Sequence, residues 1–566
     1  MFDIDILGDD LEMALKTQKI VSDFETTTDK NDVRVWAVCS VDIDTDETVY
    51  IGNSIDGYFD WLKDKNTVSF FHNLKFDGEF ILHYLLTHGY EYTDEPKENC
   101  FNTLITDTGI FYSITVYFKK ENKKWKKVVF YDSLKKLPFK VSTIAKAFEL
   151  EMSKLSIDYD APRPIGHELT QEEIDYIQAD CRIVAQALKK QMGEGLTKMT
   201  NASDALNNFK KITGKDQFER NFPTFPIELD LDIRRAYKGG FVYLNPKYRG
   251  FRGLAGITFD VNSLYPWAMY SCLLPCGYPV YFEGEPVEDE RYPLYIVRIQ
   301  CEFEVKKDHI PTIQLKNNRA FIETEYLENS NGEIVQLTLT NVDLQLFLDH
   351  YNVYNLEYIA GWKFKGKTGI FKDYIDYWMH IKETTTGALR QLAKLMLNSL
   401  YGKFATNPRS RKKIPFIDDE GVVRYRVTDI EERDPVYTSM GAFITAYARE
   451  KTIRSAQTVY DRFIYADTDS LHLIGHDIPE GLDVHPTHLG AWKNEGCFTD
   501  SVFVRAKTYA EVVDGKLKVT CAGMPDNVKE QVTLENFRSG ATFGGKLMPR
   551  RYKGGIVLEE TTFTIK

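Results

Sequence analysis

Long hydrophobic runs are missing from this sequence of 566 residues. No apolar stretch approaches the roughly 20 residues that a membrane-spanning helix requires, so such a helix is excluded. The first ten residues lack the basic and apolar segments of a secretory signal peptide, and we expect none. None of the eight cysteines forms a Cys-x-x-Cys pair, and the eleven histidines include no His-Glu-x-x-His motif. Hydrolytic zinc chemistry is therefore disfavoured, and the cysteines are expected to be reduced and mostly buried.

An excess of positive charge is also missing. The 71 lysines and arginines against 83 aspartates and glutamates give a formal net charge of −12. This sum argues weakly against nucleic acid as a partner, because phosphates attract basic proteins. A binding site needs only local positive charge, however, and basic clusters occur at residues 119–127, 409–413 and 546–553. Each cluster is equally compatible with a solvated surface loop.

The composition predicts a folded protein of several domains. Hydrophobic residues make up 43% and charged residues 27%, as in ordinary globular proteins. At about 150 residues per domain, the length suggests about four domains. In the first 200 residues, strand patterns at 20–25 and 34–41 alternate with helix patterns at 77–86 and 172–188. This alternation predicts an α/β layer structure.

The remaining chain predicts mixed elements. Residues 273–358 are strand-rich, residues 371–401 indicate a helical pair with a break near Gly387, and residues 436–473 indicate a helix followed by a hairpin. The glycine-rich tail after Cys521 predicts short strands. No internal repeat or low-complexity linker occurs, so the domains are expected to pack closely.

Carboxylates recur with regular spacing in the first third of the chain. Asp23 and Glu25 lie two apart on the predicted strand and so share one face. Tyr176 and Asp180 lie four apart on a predicted helix and share a face, and Asp77 lies between these segments. The four carboxylates could hold two divalent cations that activate a water against a phosphodiester. Four solvated acids are the alternative, which weakens because all three segments occur together.

A second acidic group is predicted in the C-terminal half. Asp260 ends an apolar strand before a turn, and Asp467 and Asp469 lie two apart at the tip of a predicted hairpin. A plain turn is the alternative for the Asp-Thr-Asp segment alone.

One helix face between these acidic segments carries Lys394, Asn398 and Tyr401, at i, i+4 and i+7. The lysine can neutralise a triphosphate, and the other two side chains can position a base pair. A core helix with a snorkelling lysine is the alternative for the helix alone. The order of the three segments favours the functional interpretation.

These segments resemble the motifs of family B DNA polymerases. Asp-x-x-Ser-Leu-Tyr-Pro (260–266), Lys-x-x-x-Asn-Ser-x-Tyr-Gly (394–402) and Tyr-x-Asp-Thr-Asp-Ser (465–470) resemble motifs A, B and C of that family. Asp-x-Glu, Asn-x-x-x-Asp and Tyr-x-x-x-Asp resemble its proofreading motifs. The phi29-type, protein-primed branch is similar over nearly the whole chain, including Tyr-Lys-Gly-Gly (237–240), Lys-Thr-Tyr (507–509), residues 132–138 and the ending Thr-Phe-Thr-Ile-Lys.

The resemblance implies an α/β and α+β multidomain fold, with an RNase H-like (DEDD) exonuclease domain and a right-hand polymerase of palm, fingers and thumb with two insertions. The implied boundaries are an exonuclease domain at 1–200 with an N-terminal extension at 1–20, palm at 201–271 and 433–521, insertions at 272–369 and 406–432, fingers at 370–405 and thumb at 522–566. In the family, the first insertion contacts the priming protein and the second helps encircle DNA. The basic cluster at 409–413 fits a phosphate contact there.

For the polymerase, the resemblance implies that Asp260 and Asp469 bind two metal ions with the Val261 carbonyl, and that Asp467 is a further catalytic carboxylate. The implied nucleotide-binding residues are Tyr265, Lys382, Lys394, Asn398 and Tyr401. Tyr265 would exclude a 2′-hydroxyl, with a packed core tyrosine as the alternative. The implied DNA-binding residues are Tyr237, Gly239, Gly240, Lys507 and Tyr509, of which the last two would hold the primer terminus.

For the exonuclease, the implied metal-binding carboxylates are Asp23, Glu25, Asp77 and Asp180. Tyr176 would orient the attacking water, and Lys154 would support the catalytic site. The implied DNA-binding residues are His72, Asn73, Phe76, Ser133, Leu134 and Tyr159. Phe76 would stack on a base, with a core phenylalanine as the alternative.

The implied cofactors are two Mg²⁺ ions per active site, which Mn²⁺ can replace. The implied partners are template and primer DNA, deoxynucleoside triphosphates and a terminal protein primer, with no membrane. The protein would be a phage-encoded monomer in the cytoplasm of a bacterial host. The alternatives are a nuclease whose polymerase half serves as a DNA clamp, and a non-catalytic DNA-binding protein.

Overall fold

A computed structural model describes residues 17–314 and 326–566 of the chain. Of the N-terminal extension predicted at residues 1–20, all but the last four residues lie outside the described residues. The first strand begins at Gln18, and Ile20 pairs with Asp42, so the first sheet begins inside the predicted extension. Within the described ranges, no helix combines the length and the apolar character needed to cross a membrane.

The N-terminal part folds around an eight-stranded mixed sheet with the strand order β3-β2-β1-β4-β8-β7-β6-β5. Its strands are β1 Gln18–Thr26, β2 Val35–Asp42, β3 Thr48–Gly52, β4 Thr67–Phe71, β5 Glu91–Tyr92, β6 Cys100–Ile105, β7 Phe111–Glu121 and β8 Lys124–Asp132. β1 is parallel to β4, and β4 is parallel to β8. The strands predicted at 20–25 and 34–41 are confirmed as β1 and β2.

Helices cover both faces of this sheet. They are α1 Ile55–Leu62, α2 Leu74–Thr87, α3 Val141–Ala147 and α4 Gln171–Gly193. Because alternate side chains of a strand point to opposite faces, Val21 packs into a core with Ile177 of α4, whereas Phe24 packs into a core with Leu82 of α2. The predicted α/β layers and the helices at 77–86 and 172–188 are confirmed.

A second sheet is wholly antiparallel, with the strand order β23-β10-β22-β21-β9. Its strands are β9 Val242–Leu244, β10 Gly256–Val261, β21 Phe463–Asp467, β22 Ser470–Ile474 and β23 Trp492–Phe498. Helices α5 Asn201–Thr213, α6 Lys215–Asn221 and α7 Ile227–Arg234 precede it, and α8 Leu264–Ser271 follows β10. α12 Thr438–Thr458 packs against the sheet through Ile453, which shares a core with Phe259 and Leu471. The helix and hairpin predicted at 436–473 are confirmed.

A third sheet and two long helices lie between β10 and β21 in the chain. The sheet order is β11-β16-β12-β15, with β11 Leu274–Glu283, β12 Leu294–Val305, β15 Val335–Thr340 and β16 Tyr351–Lys367. α9 Asn341–His350 and the short pair β13 Ile313–Gln314 and β14 Tyr326–Leu327 accompany it. The predicted helical pair is confirmed as α10 Lys372–Thr384 and α11 Gly387–Phe404, with the break before Gly387.

Short antiparallel pairs follow α11. β17 Arg409–Ser410 pairs with β20 Glu431–Glu432, and β18 Lys413–Ile417 pairs with β19 Val423–Val427. β24 Asp500–Arg505, β25 Thr508–Val513 and β26 Lys516–Cys521 form a three-stranded sheet. Single turns of 3-10 helix lie at Ser133–Lys135, Pro246–Tyr248 and Tyr460–Arg462.

The chain ends in α13 Asp526–Lys529 and a long hairpin of β27 Thr542–Tyr552 and β28 Gly555–Thr564. The prediction of short strands after Cys521 is therefore wrong, since these strands have 11 and 10 residues. The glycines lie at the turn and at the register shift between Phe543 and Lys546, which leaves the pairing between them unbroken. The whole architecture confirms the predicted mixed α/β and α+β multidomain fold.

Candidate active sites: two carboxylate centres

The first centre is a cavity of about 720 Å³ against one face of β1. Asp23 and Glu25 have the same parity on the strand as Val21 and therefore face α4, which carries Tyr176 and Asp180. Asp77, in the first turn of α2, lines the same cavity. The structure thus brings together the four carboxylates that the sequence separates by up to 157 positions.

The carboxylates of the first centre are shielded from water, and their negative charges repel one another. Burial and the charge of Asp180 raise the pKa of Asp23 to about 7. Burial, followed by the charge of Asp23, raises the pKa values of Glu25 and Asp77, and burial also raises the pKa of Asp180. Sites of this kind bind protons or cations to relieve the repulsion.

The donor set of the first centre fits a divalent cation. Asp180 Oδ1 is buried and has no hydrogen-bond partner among the described residues, while Oδ2 accepts from Lys154 Nζ at 2.5 Å. Hard divalent cations prefer carboxylate oxygens of this type. As they stand, no three histidine, cysteine, aspartate or glutamate side chains in residues 17–314 and 326–566 converge tightly enough to hold a metal ion.

Two tyrosines and a lysine surround these acids. The hydroxyl groups of Tyr159 and Tyr176 lie 2.5 Å apart, and Lys154 Nζ lies 5.5 Å from the centre of the Tyr176 ring. Burial and then the charge of Glu25 raise the pKa of Tyr176, so its hydroxyl stays protonated. A protonated hydroxyl at the edge of a carboxylate cluster can donate to a bound water or phosphate oxygen.

The residues expected to grip a strand divide into two groups. His72, Asn73 and Phe76 line the cavity, as does Tyr159. Ser133 is completely buried, and its Oγ lies 2.9 Å from His72 Nδ1, so it orients the histidine and does not itself reach a strand.

The Asp132 carboxylate holds the backbone of Asn73 and Leu134 in place. Asp132 Oδ1 accepts from the N–H groups of Asn73 at 3.2 Å and Leu134 at 3.0 Å. Asn73 has φ of +76°, a left-handed conformation that asparagine tolerates better than most residues. Leu134 is half-buried and is not among the residues that line the cavity.

The second centre lies where β10 meets the β21–β22 hairpin. Asp260 pairs in register with Ser470, and the Val261 N–H donates to the carbonyl oxygen of Asp469 at 2.7 Å. Burial, followed by the charge of Asp469, raises the pKa of Asp260 to about 7. Burial also raises the pKa of Asp469. Asp260 and Asp469 therefore form a close, partly buried pair of acids, as the sequence predicts.

Asp467 differs from these two acids because it has a cationic partner. Lys507 Nζ donates to its two carboxylate oxygens at 3.0 and 2.9 Å, across 40 positions of sequence. The Lys507 N–H also donates to the Tyr465 hydroxyl at 2.9 Å, and the Tyr465 and Tyr509 rings lie 5.1 Å apart. The segment at 507–509 is thereby fixed beside the acidic hairpin tip.

The hairpin tip packs on the segment at 237–240. Thr468 has φ of +58°, and its N–H donates to the Phe241 carbonyl. A Cβ atom on Gly240 would lie 2.6 Å from Thr468 Oγ1, so only glycine fits there without displacement. Burial and then the charge of Tyr401 raise the pKa of Tyr237, which lies at the start of this segment.

Arg449, which was not predicted from the sequence, holds the segment at 237–240 in place through its side chain. Its Nη1 donates to the carbonyl oxygens of Lys238 at 2.9 Å and Gly239 at 2.8 Å. Its Nη2 donates to both carboxylate oxygens of Asp343, at 2.9 and 2.8 Å. Arg449 is 2% exposed. A lone arginine after the small and apolar run 440–448 was the available signal.

A tyrosine pair and a cationic group adjoin the second centre. The Tyr265 and Tyr401 rings stack with centres 4.0 Å apart and an interplanar angle of 20°. Lys382 Nζ lies 3.0 Å from Ser263 Oγ. Burial and then the charges of Lys394 and Arg390 lower the pKa of Lys382, which shows that three cations share this region.

Helix α11 carries one basic residue near the second centre in addition to the predicted Lys394. Arg390, which the sequence reasoning missed, donates to the Lys382 carbonyl at 2.7 Å. It lies four residues before Lys394, a spacing that could have revealed it. Asn398 is exposed on α11, one turn from Tyr401.

Two features of the surroundings also differ from expectation. The C-terminal hairpin lines the first cavity with Leu547, Ile556, Val557 and Leu558, a contact that no sequence pattern predicted. In the basic cluster at 409–413, Arg409 pairs with Glu432 at 2.8 Å and Lys412 pairs with Asp94 at 3.1 Å. The Arg409 pair is exposed and therefore weak, whereas the Lys412 side chain is only 11% exposed. A phosphate contact at this cluster stays a prediction.

Comparison with known proteins agrees with these features. A family model described as DNA polymerase type B, organellar and viral, matches residues 60–165 and 161–485. The DNA polymerase of Bacillus phage M2 is 49% identical, over 96% of this chain and 99% of its own length. That of Bacillus phage phi29 is 47% identical, over 96% and 98%. Phi29 DNA polymerase complexed with primer-template DNA and incoming nucleotide substrates aligns with a TM-score of 0.93 at 47% identity, covering 97% of this chain and 100% of that chain.

Proposed function

We propose a full set of activities from the premise that the chain belongs to the type B DNA polymerases, in their phi29-type branch, and is a DNA-directed DNA polymerase. The second carboxylate centre carries nucleotidyl transfer, and the first carries 3′–5′ removal of mispaired primer ends. Synthesis begins on a hydroxyl of a terminal protein and proceeds with strand displacement. The observation that carries the proposal is the close pair of Asp260 and Asp469, with raised pKa values, beside a cationic group and a stacked tyrosine pair.

At the second centre, Asp260, Asp469 and the Val261 carbonyl would hold two Mg²⁺ ions. When bound, such ions activate the primer hydroxyl and stabilise the leaving pyrophosphate. Asp467 is already neutralised by Lys507, which supports a role beside the metal ligands and not among them. Lys507 and Tyr509 hold the primer terminus, and the segment at 237–240 guides the template.

The triphosphate is bound by the cationic group of Lys382, Lys394 and Arg390. Burial and then the charges of Lys394 and Arg390 lower the pKa of Lys382, and an anionic triphosphate would relieve the repulsion among these cations. Tyr265 lies under the sugar, supported from behind by Tyr401, and rejects a 2′-hydroxyl by contact. Asn398 and Tyr401 position the nascent base pair.

At the first centre, Asp23, Glu25, Asp77 and Asp180 would hold two divalent ions. Tyr176 donates a hydrogen bond to the attacking water, and its contact with Tyr159 fixes its direction. Lys154 orients Asp180. His72, Asn73, Phe76 and Tyr159 receive the single-stranded primer end, with Ser133 and Leu134 supporting them from behind.

The remaining assignments follow the family. The boundaries proposed are those predicted from the sequence, with exonuclease, palm, fingers and thumb and with insertions at 272–369 and 406–432. The first insertion would meet the terminal protein, and the protein would act as a monomer in the cytoplasm of a bacterial host. Membership of the polymerase family favours this proposal over a nuclease whose second half is only a clamp.

One assay tests both centres. Purified protein receives Mg²⁺ and a 5′-labelled primer on a template with a downstream blocking strand, with and without deoxynucleotides. Extension through the blocker, and shortening without nucleotides, are expected. Asp260→Ala should abolish extension and keep shortening, whereas Asp23→Ala with Glu25→Ala should do the reverse. Shortening without extension at any nucleotide concentration would overturn the polymerase assignment.

A further inference from the structure

The turn of the C-terminal hairpin docks on the N-terminal sheet domain. Gly554 and Gly555 form the turn with φ of +104° and +155°. A Cβ atom on Gly554 would lie 2.1 Å from the carbonyl oxygen of Val33, and one on Gly555 would lie 2.4 Å from the Phe80 ring. Ile556, the next residue, is 4% exposed and shares the core of this domain with Phe80. The contact is therefore a packed interface and not a loose touch.

An ion pair between a buried glutamate and a partly exposed arginine joins the hairpin to this domain. Arg551 Nε and Nη2 donate to Glu79 Oε1 at 2.8 and 2.7 Å. The Glu79 side chain is 1% exposed, and its Oε2 has no hydrogen-bond partner among the described residues. Arg551 thus supplies charge compensation that a buried carboxylate requires.

A third element completes the arrangement. Tyr425 of β19 places its ring 4.8 Å from the Arg551 guanidinium, in cation–π geometry. Burial and then the charge of Glu79 raise the pKa of Tyr425. Lys553 at the hairpin turn also bridges to Val422, just before β19. Elements from three distant parts of the sequence therefore meet at Arg551.

The same elements enclose the first cavity. Asp77 and Glu79 lie two apart on α2, about 200° around the helix, so Asp77 lines the cavity while Glu79 faces the hairpin. The hairpin contributes Leu547, Ile556, Val557 and Leu558 to the lining of the same cavity. Glu79, Arg551 and Tyr425 are not among the lining residues. The distance between the carboxylates and these apolar side chains therefore depends on the contact between α2 and the hairpin.

We propose that Glu79, Arg551 and Tyr425 form a latch that positions the C-terminal hairpin as the apolar wall of the first cavity and thereby sets its affinity for a single-stranded primer end. The proposal rests on the exonuclease function proposed above. The three are positioning residues, since they lie outside the cavity. Breaking the latch weakens the grip on the strand and leaves the chemical step at saturating DNA unchanged.

The test measures degradation of a 5′-labelled single-stranded oligonucleotide over a range of concentrations with Mg²⁺. Arg551→Ala is expected to raise KM about tenfold and to keep kcat within about twofold, the signature of lost binding alone. Arg551→Lys should recover most of the affinity. The matched control is Arg424→Ala, which removes an exposed arginine that neighbours Tyr425 and pairs with Asp418 at 2.7 Å. This control should change KM by less than about twofold.

Several results would overturn the latch. The first is an equal rise in KM for Arg551→Ala and Arg424→Ala, which would indicate a general loss of positive charge. The second is a fall in kcat with KM unchanged, which would indicate displaced carboxylates. Each variant is also tested for extension of a matched primer. This activity depends on the second centre and therefore shows whether the variant is folded. If Arg551→Ala does not extend the primer, the tyrosine is tested instead. Tyr425→Leu keeps the ion pair and should still raise KM, whereas Tyr425→Phe keeps the aromatic ring and should not. Equal KM values for these two variants would refute the latch.

The double variant Asp23→Ala with Glu25→Ala separates this proposal from the one on which it rests. If the double variant still degrades the oligonucleotide, the exonuclease assignment itself fails, and the latch fails with it. If the double variant is inactive and Arg551→Ala matches the unaltered protein in KM, the exonuclease assignment stands and the latch alone is refuted.

Discussion

Gly240→Ala is the sharpest single perturbation of the second centre. Gly240 has no side chain to contribute, so its replacement acts only through the new methyl group. The added Cβ would lie 2.6 Å from Thr468 Oγ1, 2.8 Å from Cγ2 and 3.1 Å from Cβ. Rotation of the threonine cannot fully relieve the contact, because every staggered rotamer leaves at least one of its two γ atoms facing Gly240 and its Cβ atom stays at 3.1 Å. The backbone of the hairpin tip must therefore move.

The size of this movement follows from the same distances. Ordinary contacts begin at 3.4 Å, so the tip must withdraw by roughly 0.8 Å from the 2.6 Å contact. Thr468 separates Asp467 from Asp469, and both move with it. A misplacement of about 1 Å in a catalytic group can lower a rate about 100-fold, or about 2.7 kcal/mol of barrier. We expect a loss of this order in nucleotide incorporation.

The assay is single-nucleotide incorporation on a matched primer-template, with oligonucleotide shortening measured in parallel. Shortening should stay within about twofold, because the first centre shares no residue with the tip. Gly239→Ala controls for any effect of an added methyl group on the template contacts of this segment, since a Cβ atom there meets no protein atom within 4 Å; its loss should be at least tenfold smaller. Incorporation by Gly240→Ala at the level of Gly239→Ala would refute the steric argument.

Three further predictions concern charge. Lys382→Ala should raise the KM for deoxynucleotides about tenfold in steady-state extension, because a triphosphate loses one of three clustered cations; an unchanged KM would contradict the assignment. Arg449→Ala should lower the free energy of unfolding in urea by about 3–5 kcal/mol, because Asp343 loses its buried partner; a loss below about 1 kcal/mol would count against this. Metal-free protein should lose stability as pH rises from about 4 to about 7, since the folded state holds a proton on Asp23 with a pKa of about 7 against an ordinary 3.8. Melting curves in EDTA should show a smaller pH slope for Asp23→Asn, and an identical slope would refute the proton linkage.

Short-range geometry explains why so much of each centre was predictable. The period of two on a strand forces Asp23 and Glu25 onto one face, and a hairpin of two short strands forces Asp467 and Asp469 to its tip. On α11, helical spacing alone places Lys394 and Tyr401 on the same face of the helix, about two turns apart. These relations depend on a few consecutive residues, so the sequence determines them before any tertiary contact forms.

Apart from Arg390, which contacts Lys382 eight positions away, the unpredicted partners lie far apart in the chain. Arg449 meets Asp343 across 106 positions, and Arg551 meets Glu79 across 472. Such pairs depend on how whole sheets and hairpins dock, and a charged residue in sequence gives no sign of which distant charge it will meet. The long C-terminal strands were missed for a related reason. The glycine content predicted that the strands would be interrupted, whereas the glycines of the hairpin lie together at its turn and at one register shift.

The two centres have a common electrostatic arrangement that links their chemistry to pH. Each combines several partly or fully buried carboxylates with one lysine, Lys154 on Asp180 in the first and Lys507 on Asp467 in the second. One lysine cannot neutralise the set, and the pKa values of Asp23 and Asp260 both remain at about 7. Divalent cations would therefore compete with protons over the same pH range at both centres. It follows that synthesis and shortening should gain activity together as pH rises through 7, and that the choice between them depends on where the primer end lies.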